Sequence, residues 1–133
     1  MFVGGIIGWE RQLRNKPAGL RTHMLVSMGS ALFVLMPLAM GKNENGGDAV
    51  ARVIQGIAAG IGFLGGGEIL RQNQQERGKP EVHGLTSAAA IWVSAALGTA
   101  AGCGLWQLAL MGALMSLFVL RVIKELERRS RRK

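Results

Sequence analysis

Hydrophobic residues in this chain come in long blocks separated by short polar stretches, with neither the strict alternation of a half-buried strand nor the single stripe of a surface helix. Residues 1–9 are apolar and glycine-rich, and residues 24–40 are uncharged but interrupted by Pro37. Residues 53–67 are apolar and end at Glu68 and Arg71, and residues 82–120 contain no Asp, Glu, Lys or Arg. A helix that crosses a bilayer needs about 20 predominantly apolar residues, so the last block is roughly two crossings long. Soluble helices keep one polar face and do not produce such blocks. Gly102, Cys103 and Gly104 divide it, because glycine permits a tight turn between helices.

The pattern predicts an all-α fold: a polytopic transmembrane helix bundle over residues 1–123 and a basic tail over 124–133. Four full helices are expected, at 24–40, 53–67, 85–101 and 105–123, plus a short N-terminal hydrophobic segment. As a helix, residues 1–9 would cover only about 14 Å of roughly 30 Å of hydrocarbon. The segment is therefore expected to be a half-helix or the end of a longer one. In the polar stretches, Asp48 is placed to N-cap the following helix, and Gly78 and Pro80 act as breakers.

Composition supports the same class. The chain of 133 residues is 49% hydrophobic and only 18% charged, against about a quarter charged in soluble domains. A net charge of +8 raises the question of nucleic acid. The basic residues, however, flank hydrophobic blocks, as membrane topology requires, and no zinc spacing or aromatic RNA-binding motif accompanies them. Nucleic acid is not an expected partner; the lipid bilayer is. Of the 16 Lys and Arg residues, 14 fall in 11–21, in 71–79 and from Arg121 onward, leaving Lys42 and Arg52 for the other side. The positive-inside rule then puts the C-terminus in the cytoplasm. Cys103 stands alone, so no internal disulfide forms, and the absence of a basic n-region argues against a cleaved signal peptide.

Small residues recur at helix-packing spacings: Gly4 and Gly8, Gly56 and Gly60, Gly62 and Gly66, and the ridge Ala90, Ser94, Gly98, Gly102, with Gly65 beside them. In lipid, helices associate where small residues let backbones touch. Such ridges serve packing within the bundle, and a sharper reading gives one of them to a homodimer. Two segments also look alike, since each is a glycine helix ending in an acid followed by an arginine (Glu10 and Arg11; Glu68 and Arg71). After a polar loop each continues with Gly-Leu, at 19–20 and 84–85, and a hydroxyl residue. A parallel two-hairpin repeat with Glu10 and Glu68 in matching places follows as a hypothesis.

The stretch from Glu10 through Arg11, Arg14, Lys16, Arg21 and Thr22 to His23 resembles the hallmark loop of the MgtC/SapB membrane protein family. Arg52 with the Gly-Ile-Gly-Phe-Leu-Gly run from Gly60 to Gly65 resembles its second motif, and the segment from Gly84 through Thr86 and Ser94 to Gly98 and Gly102 its third. Departures are Glu68, an acid the family usually lacks there, the short first helix, and a chain that stops at Lys133 without the soluble C-terminal domain many members carry. The resemblance implies a bacterial inner-membrane protein linked to magnesium limitation and, in pathogens, to survival inside host cells. It further implies regulation rather than pumping, with the ATP synthase as a proposed target. It calls for no cofactor.

Polar groups at membrane depth are costly and are functional candidates by default. Glu68 is the clearest, although a Glu68–Arg71 pair could merely mark the interface. Glu10 and Arg14 stand in the favoured i,i+4 order, as do Asp48 and Arg52, and Glu125–Arg129 and Glu127–Arg131 in the tail. Gln55 lies deeper and should find a partner helix. His23 and His83 precede crossings and are expected to be solvated interface residues, with Glu81 beside His83. Thr86, Ser87 and Ser94 are placed to hydrogen-bond across helices. The basic tail should attract anionic lipid. No hydroxyl or thiol is paired with an in-membrane base, so hydrolysis is unsupported. Magnesium prefers carboxylates and retained water, and no acid stands in mid-span, which weighs against a pump. The leading reading is a regulatory interaction module, with a cation transporter or channel as the alternative. A purely structural role predicts neutral substitution of Glu10, Arg14 and Arg21.

Overall fold

The computed structural model describes residues 1–40, 46–75, 84–123 and 125. The tail, apart from Glu125, lies outside the described residues, as do Lys42, Gly78, Pro80, Glu81, His83 and the tail ion pairs. Among the described residues five helices follow one another: α1 (Phe2–Leu13), α2 (Leu20–Met40), α3 (Gly46–Gln75), α4 (Leu85–Gly102) and α5 (Trp106–Phe118), which runs on into a π-helical turn at Val119–Ile123. Four segments are long and apolar enough to cross a membrane: Leu20–Met40, Gly47–Gln72, Leu85–Gly102 and Trp106–Ile123. Four crossings and one short first helix match the expected architecture.

The helices are longer than the apolar blocks. α1 continues through Glu10 and Arg11, and α3 begins at Gly46 and runs past Glu68 to Gln75. Charge ends a hydrophobic block without ending a helix when neighbouring groups satisfy it. Asp48 is consequently not an N-cap. It sits within the first turn of α3, where its charge complements the helix dipole. Pro37 is accommodated near the end of α2, where it costs a hydrogen bond without ending the helix.

Two turns show why the chain reverses where it does. At the end of α1, the Lys16 amide donates to the Arg11 carbonyl at 3.0 Å and the Asn15 amide to that of Gln12 at 3.0 Å. Asn15 adopts φ 51°, a left-handed conformation that asparagine tolerates. The same two-bond closure ends α4, from Leu105 to Ala100 and from Gly104 to Ala101, with Gly104 at φ 80°. This is the predicted glycine turn.

α4 lies at the centre and packs on all four other helices, most extensively on α2. A Cβ on Gly98 would collide with the Ser27 carbonyl, and one on Gly102 would lie 2.9 Å from Ala31 Cα. Together with a His23–Ser94 hydrogen bond, these contacts set α2 and α4 parallel, in step every four residues. Gly4 and Gly8 bring α1 equally close to α2: a Cβ at Gly8 would lie 2.8 Å from Leu20 Cα. Val3, Ile7, Leu97, Ala109 and Ala113 complete the apolar core between α1, α4 and α5. Bulky apolar side chains face outward instead, as a lipid solvent allows; Phe63 is 84% exposed.

The Gly98 and Gly102 ridge is therefore spent inside the bundle. It is not available to a second copy.

Candidate functional site

α1 lies so close to α2 that the residues following its glycines project into the bundle. Glu10 is 1% exposed and Arg11 3%. Glu10 is paired with Arg14 one turn on. Arg11 reaches away from its own helix, and its Nη2 donates to Ser87 Oγ on α4 at 2.6 Å. The same hydroxyl accepts from Gln72 Nε2 of α3 at 3.2 Å, and that amide also donates to Glu68 Oε1 at 2.7 Å. Arg71 Nε stands 3.7 Å from Glu68 Oε2. Ser87 thus ties α1, α3 and α4 together at one point.

About two turns further along α4, His23 is fully buried, with Nδ1 2.8 Å from Ser94 Oγ. Ser27 and Ser30 continue this inward-facing polar row along α2. The arrangement is a row of buried polar side chains that starts at one end of the bundle. At that end, the buried Arg11 cation feels the carboxylates of both Glu10 and Glu68. Glu10 Oε2 and Arg11 Nε make no hydrogen bond among the described residues. A small cleft of about 190 Å³ beside it is lined by Pro17, Thr22, Glu68 and Arg71. Among the described residues no group of three or more His, Cys, Asp or Glu gathers to hold a metal.

Of the residues singled out from the sequence, the fold brings together Glu10, Arg11, Arg14, His23, Glu68 and Ser94. Lys16 is half-buried, and Arg21 and Thr22 face outward at the same end. Asp48 and Arg52 lie exposed near the start of α3, one α3 length away, and form no ion pair among the described residues. Three expectations, on His23, Gln55 and Thr86, need correction. His23 is a buried hydrogen-bonded residue, because α1 covers the start of α2, and not a solvated one. Gln55 is exposed without a partner helix, because α3 turns that face outward. Thr86 is exposed, and its neighbour Ser87 takes the inward position one residue on. The Glu68–Arg71 pair exists but belongs to the Ser87 network. Gln72 was not anticipated; its place four residues after Glu68, as Arg14 follows Glu10, is the signal that points to it.

Against this geometry, the profile of the MgtC family matches residues 1–129. The chain belongs to the MgtC family. Among its relatives, SrpB of Synechococcus elongatus is 50% identical over 132 residues, covering 96% of this chain and 72% of that protein. YhiD of Escherichia coli K12, whose name assigns it provisionally to magnesium transport, is 42% identical over 127 residues, covering 92% of this chain and 56% of its own. MgtC of Salmonella typhimurium is 36% identical over 129 residues, covering 97% of this chain and 51% of its own. The chain thus spans about half the length of YhiD and MgtC. No solved structure matches it. Family membership agrees with the bundle of membrane-length helices, and Glu10, Arg11, Arg14, His23, Ser87 and Ser94 of the polar end lie in the segments that carry the resemblance, whereas Glu68, Arg71 and Gln72 do not.

Proposed function

We propose that this protein serves an MgtC-like regulatory role tied to magnesium limitation in the bacterial inner membrane, acting by contact with other membrane components and not as a magnesium conduit. One observation carries this reading. Among the described residues, the buried polar groups inward of Glu10 and Arg11 are His23, Ser27, Ser30, Ser87 and Ser94, with no carboxylate among them. A magnesium ion keeps several waters and seeks carboxylate oxygens, and an unpaired charge at mid-membrane is costly. An interior of one imidazole and hydroxyl groups, without a carboxylate inward of Glu10, suits a sensing or docking end better than a conduit.

The same end gathers Arg11, Arg14, Lys16, Arg21, Arg71 and Arg121. This supports a cytoplasmic placement for it, with the C-terminus on that side. The virulence association and the membrane partner implied by the resemblance belong to the same proposal.

Transport is the second reading. It is favoured by two acids, Glu10 and Glu68, at one polar mouth and by the name that YhiD carries. Purified protein in liposomes separates the two. We expect no magnesium uptake above that of empty vesicles. Robust uptake that Glu10→Gln abolishes would install the transporter in its place.

A further inference from the structure

One cation at the polar end is set apart by what lies beside it. Arg11 donates to Ser87, Arg14 pairs with Glu10, and Arg71 stands beside Glu68. Arg121 is exposed and makes no ion pair among the described residues. It lines instead a groove of about 430 Å³ between α1, α2 and the end of α5, whose walls include Phe2, Ile6, Trp9, Met24 and Leu117.

The groove is polarised along the helices that form it. Trp9 and Arg121 mark its outer end, and both residue types settle at the level of lipid headgroups, with an apolar body below and a polar tip above. Phe2 stands about 10 Å deeper along α1, and Leu117 about 6 Å deeper along α5. A cation over an apolar recess calls for a ligand that is anionic at one end and hydrocarbon below. A soluble anion would leave the recess unfilled. A crossing helix needs backbone close to backbone, and the bulky side chains of Phe2, Trp9, Met24 and Leu117 hold it off. An acyl chain is thin and flexible enough to lie between them.

We infer that this groove holds a phospholipid with an anionic headgroup, whose phosphate accepts from the Arg121 guanidinium while one acyl chain lies over Gly5 between Trp9 and Met24. The planar guanidinium offers two parallel N–H groups to two phosphate oxygens. Basic recesses between membrane helices take anionic headgroups on the same grounds. The site lies apart from the Ser87 network, which joins α1 to α3 and α4, because the lipid would bridge α1 to α5. The inference does not depend on the regulatory reading, since its readout is lipid retention and not magnesium flux.

The test reconstitutes the full chain in bilayers of equal parts phosphatidylglycerol and phosphatidylethanolamine, extracts it in mild detergent and counts the retained lipid by native mass spectrometry. Wild type should keep phosphatidylglycerol in preference to phosphatidylethanolamine. Arg121→Gln should lower that retention about fivefold, the loss of one basic contact near the surface. Gly5→Leu fills the groove instead: a Cβ there meets only the Met24 and Leu20 side chains, at 3.6 Å or more, so the helices need not part. It too should lose the lipid. Arg71→Gln removes the same charge from the same end but away from the groove, and should retain lipid as wild type does. A wild type that retains no lipid, or both lipids equally, overturns the proposal. So does a folded Arg121→Gln or Gly5→Leu variant that keeps phosphatidylglycerol as wild type does, or an Arg71→Gln variant that loses as much as Arg121→Gln.

Discussion

Replacing Gly98 with alanine puts a single methyl group where α2 and α4 touch. An ideal Cβ at that position lies 2.7 Å from both the carbonyl carbon and the Cα of Ser27, and closer still to its carbonyl oxygen. Carbon atoms in contact prefer about 3.5–4.0 Å, so the helices must part by roughly 1 Å. The obstructing atoms are backbone, which no rotamer change can move aside. Overpacking of this kind costs about 1–3 kcal/mol. The His23–Ser94 hydrogen bond stands one turn earlier on both helices, and a 1 Å separation would stretch it, adding about 0.6–1.7 kcal/mol. The total, about 1.6–4.7 kcal/mol, corresponds to roughly a 15- to 2,000-fold drop in the folded-to-unfolded ratio. Reversible unfolding in mixed micelles titrated with a denaturing detergent measures it. Gly62→Ala is the control: a Cβ there meets nothing within 4 Å, so alanine should be neutral or stabilise by up to about 1 kcal/mol. Equal stabilities for Gly98→Ala and Gly62→Ala would refute the claim that this contact sets the spacing of the two helices.

The buried polar end yields three further predictions in the same assay. Ser87→Ala removes the acceptor shared by Arg11 and Gln72 and should destabilise by about 1–3 kcal/mol, while the exposed Thr86→Ala stays within about 0.5 kcal/mol; similar effects at 86 and 87 would show that the network does not join α1, α3 and α4. A double-mutant cycle on His23→Ala and Ser94→Ala should give a coupling of about 0.6–1.7 kcal/mol, and a coupling of zero would mean that the two side chains do not hydrogen-bond in the bilayer. Glu10→Gln leaves Arg11 and Arg14 without their nearest carboxylate and should cost about 3–5 kcal/mol, as breaking one side of a buried pair does. Glu68→Gln, at the more open edge of the network, should cost less, and the reverse order would move the electrostatic centre of the site from α1 to α3.

Much of the fold can be read from local features of the chain. The lengths of the uncharged blocks decide how many times it crosses a bilayer, because hydrocarbon thickness and helix rise leave no other choice. The turn at Gly104 is equally local, since a positive φ there and a two-bond closure on Ala100 and Ala101 involve only neighbouring residues. The i,i+4 pairing of Glu10 with Arg14 belongs to this group as well. Helix ends were less legible. Charged residues mark the edge of the apolar block, whereas the helix continues as long as Glu10 finds Arg14 and Glu68 finds Gln72.

The site was harder to read, and the reason is geometric. Gly98 and Gly60 look alike in sequence, each a glycine in an apolar helix four residues from another. Only the parallel docking of α2 on α4 makes the first an internal contact and leaves the second bare. His23 looked interfacial because it opens a crossing; it is buried because α1, through Gly4 and Gly8, folds back over that end of α2. Ser87 and Thr86 are adjacent hydroxyls, and the rotation of α4 alone decides which of them meets Arg11. Hydrophobic length is a property of the chain and fixes a membrane bundle of four crossings. Which polar groups meet inside it depends on how far each helix is turned about its axis, and that is decided only when backbones touch.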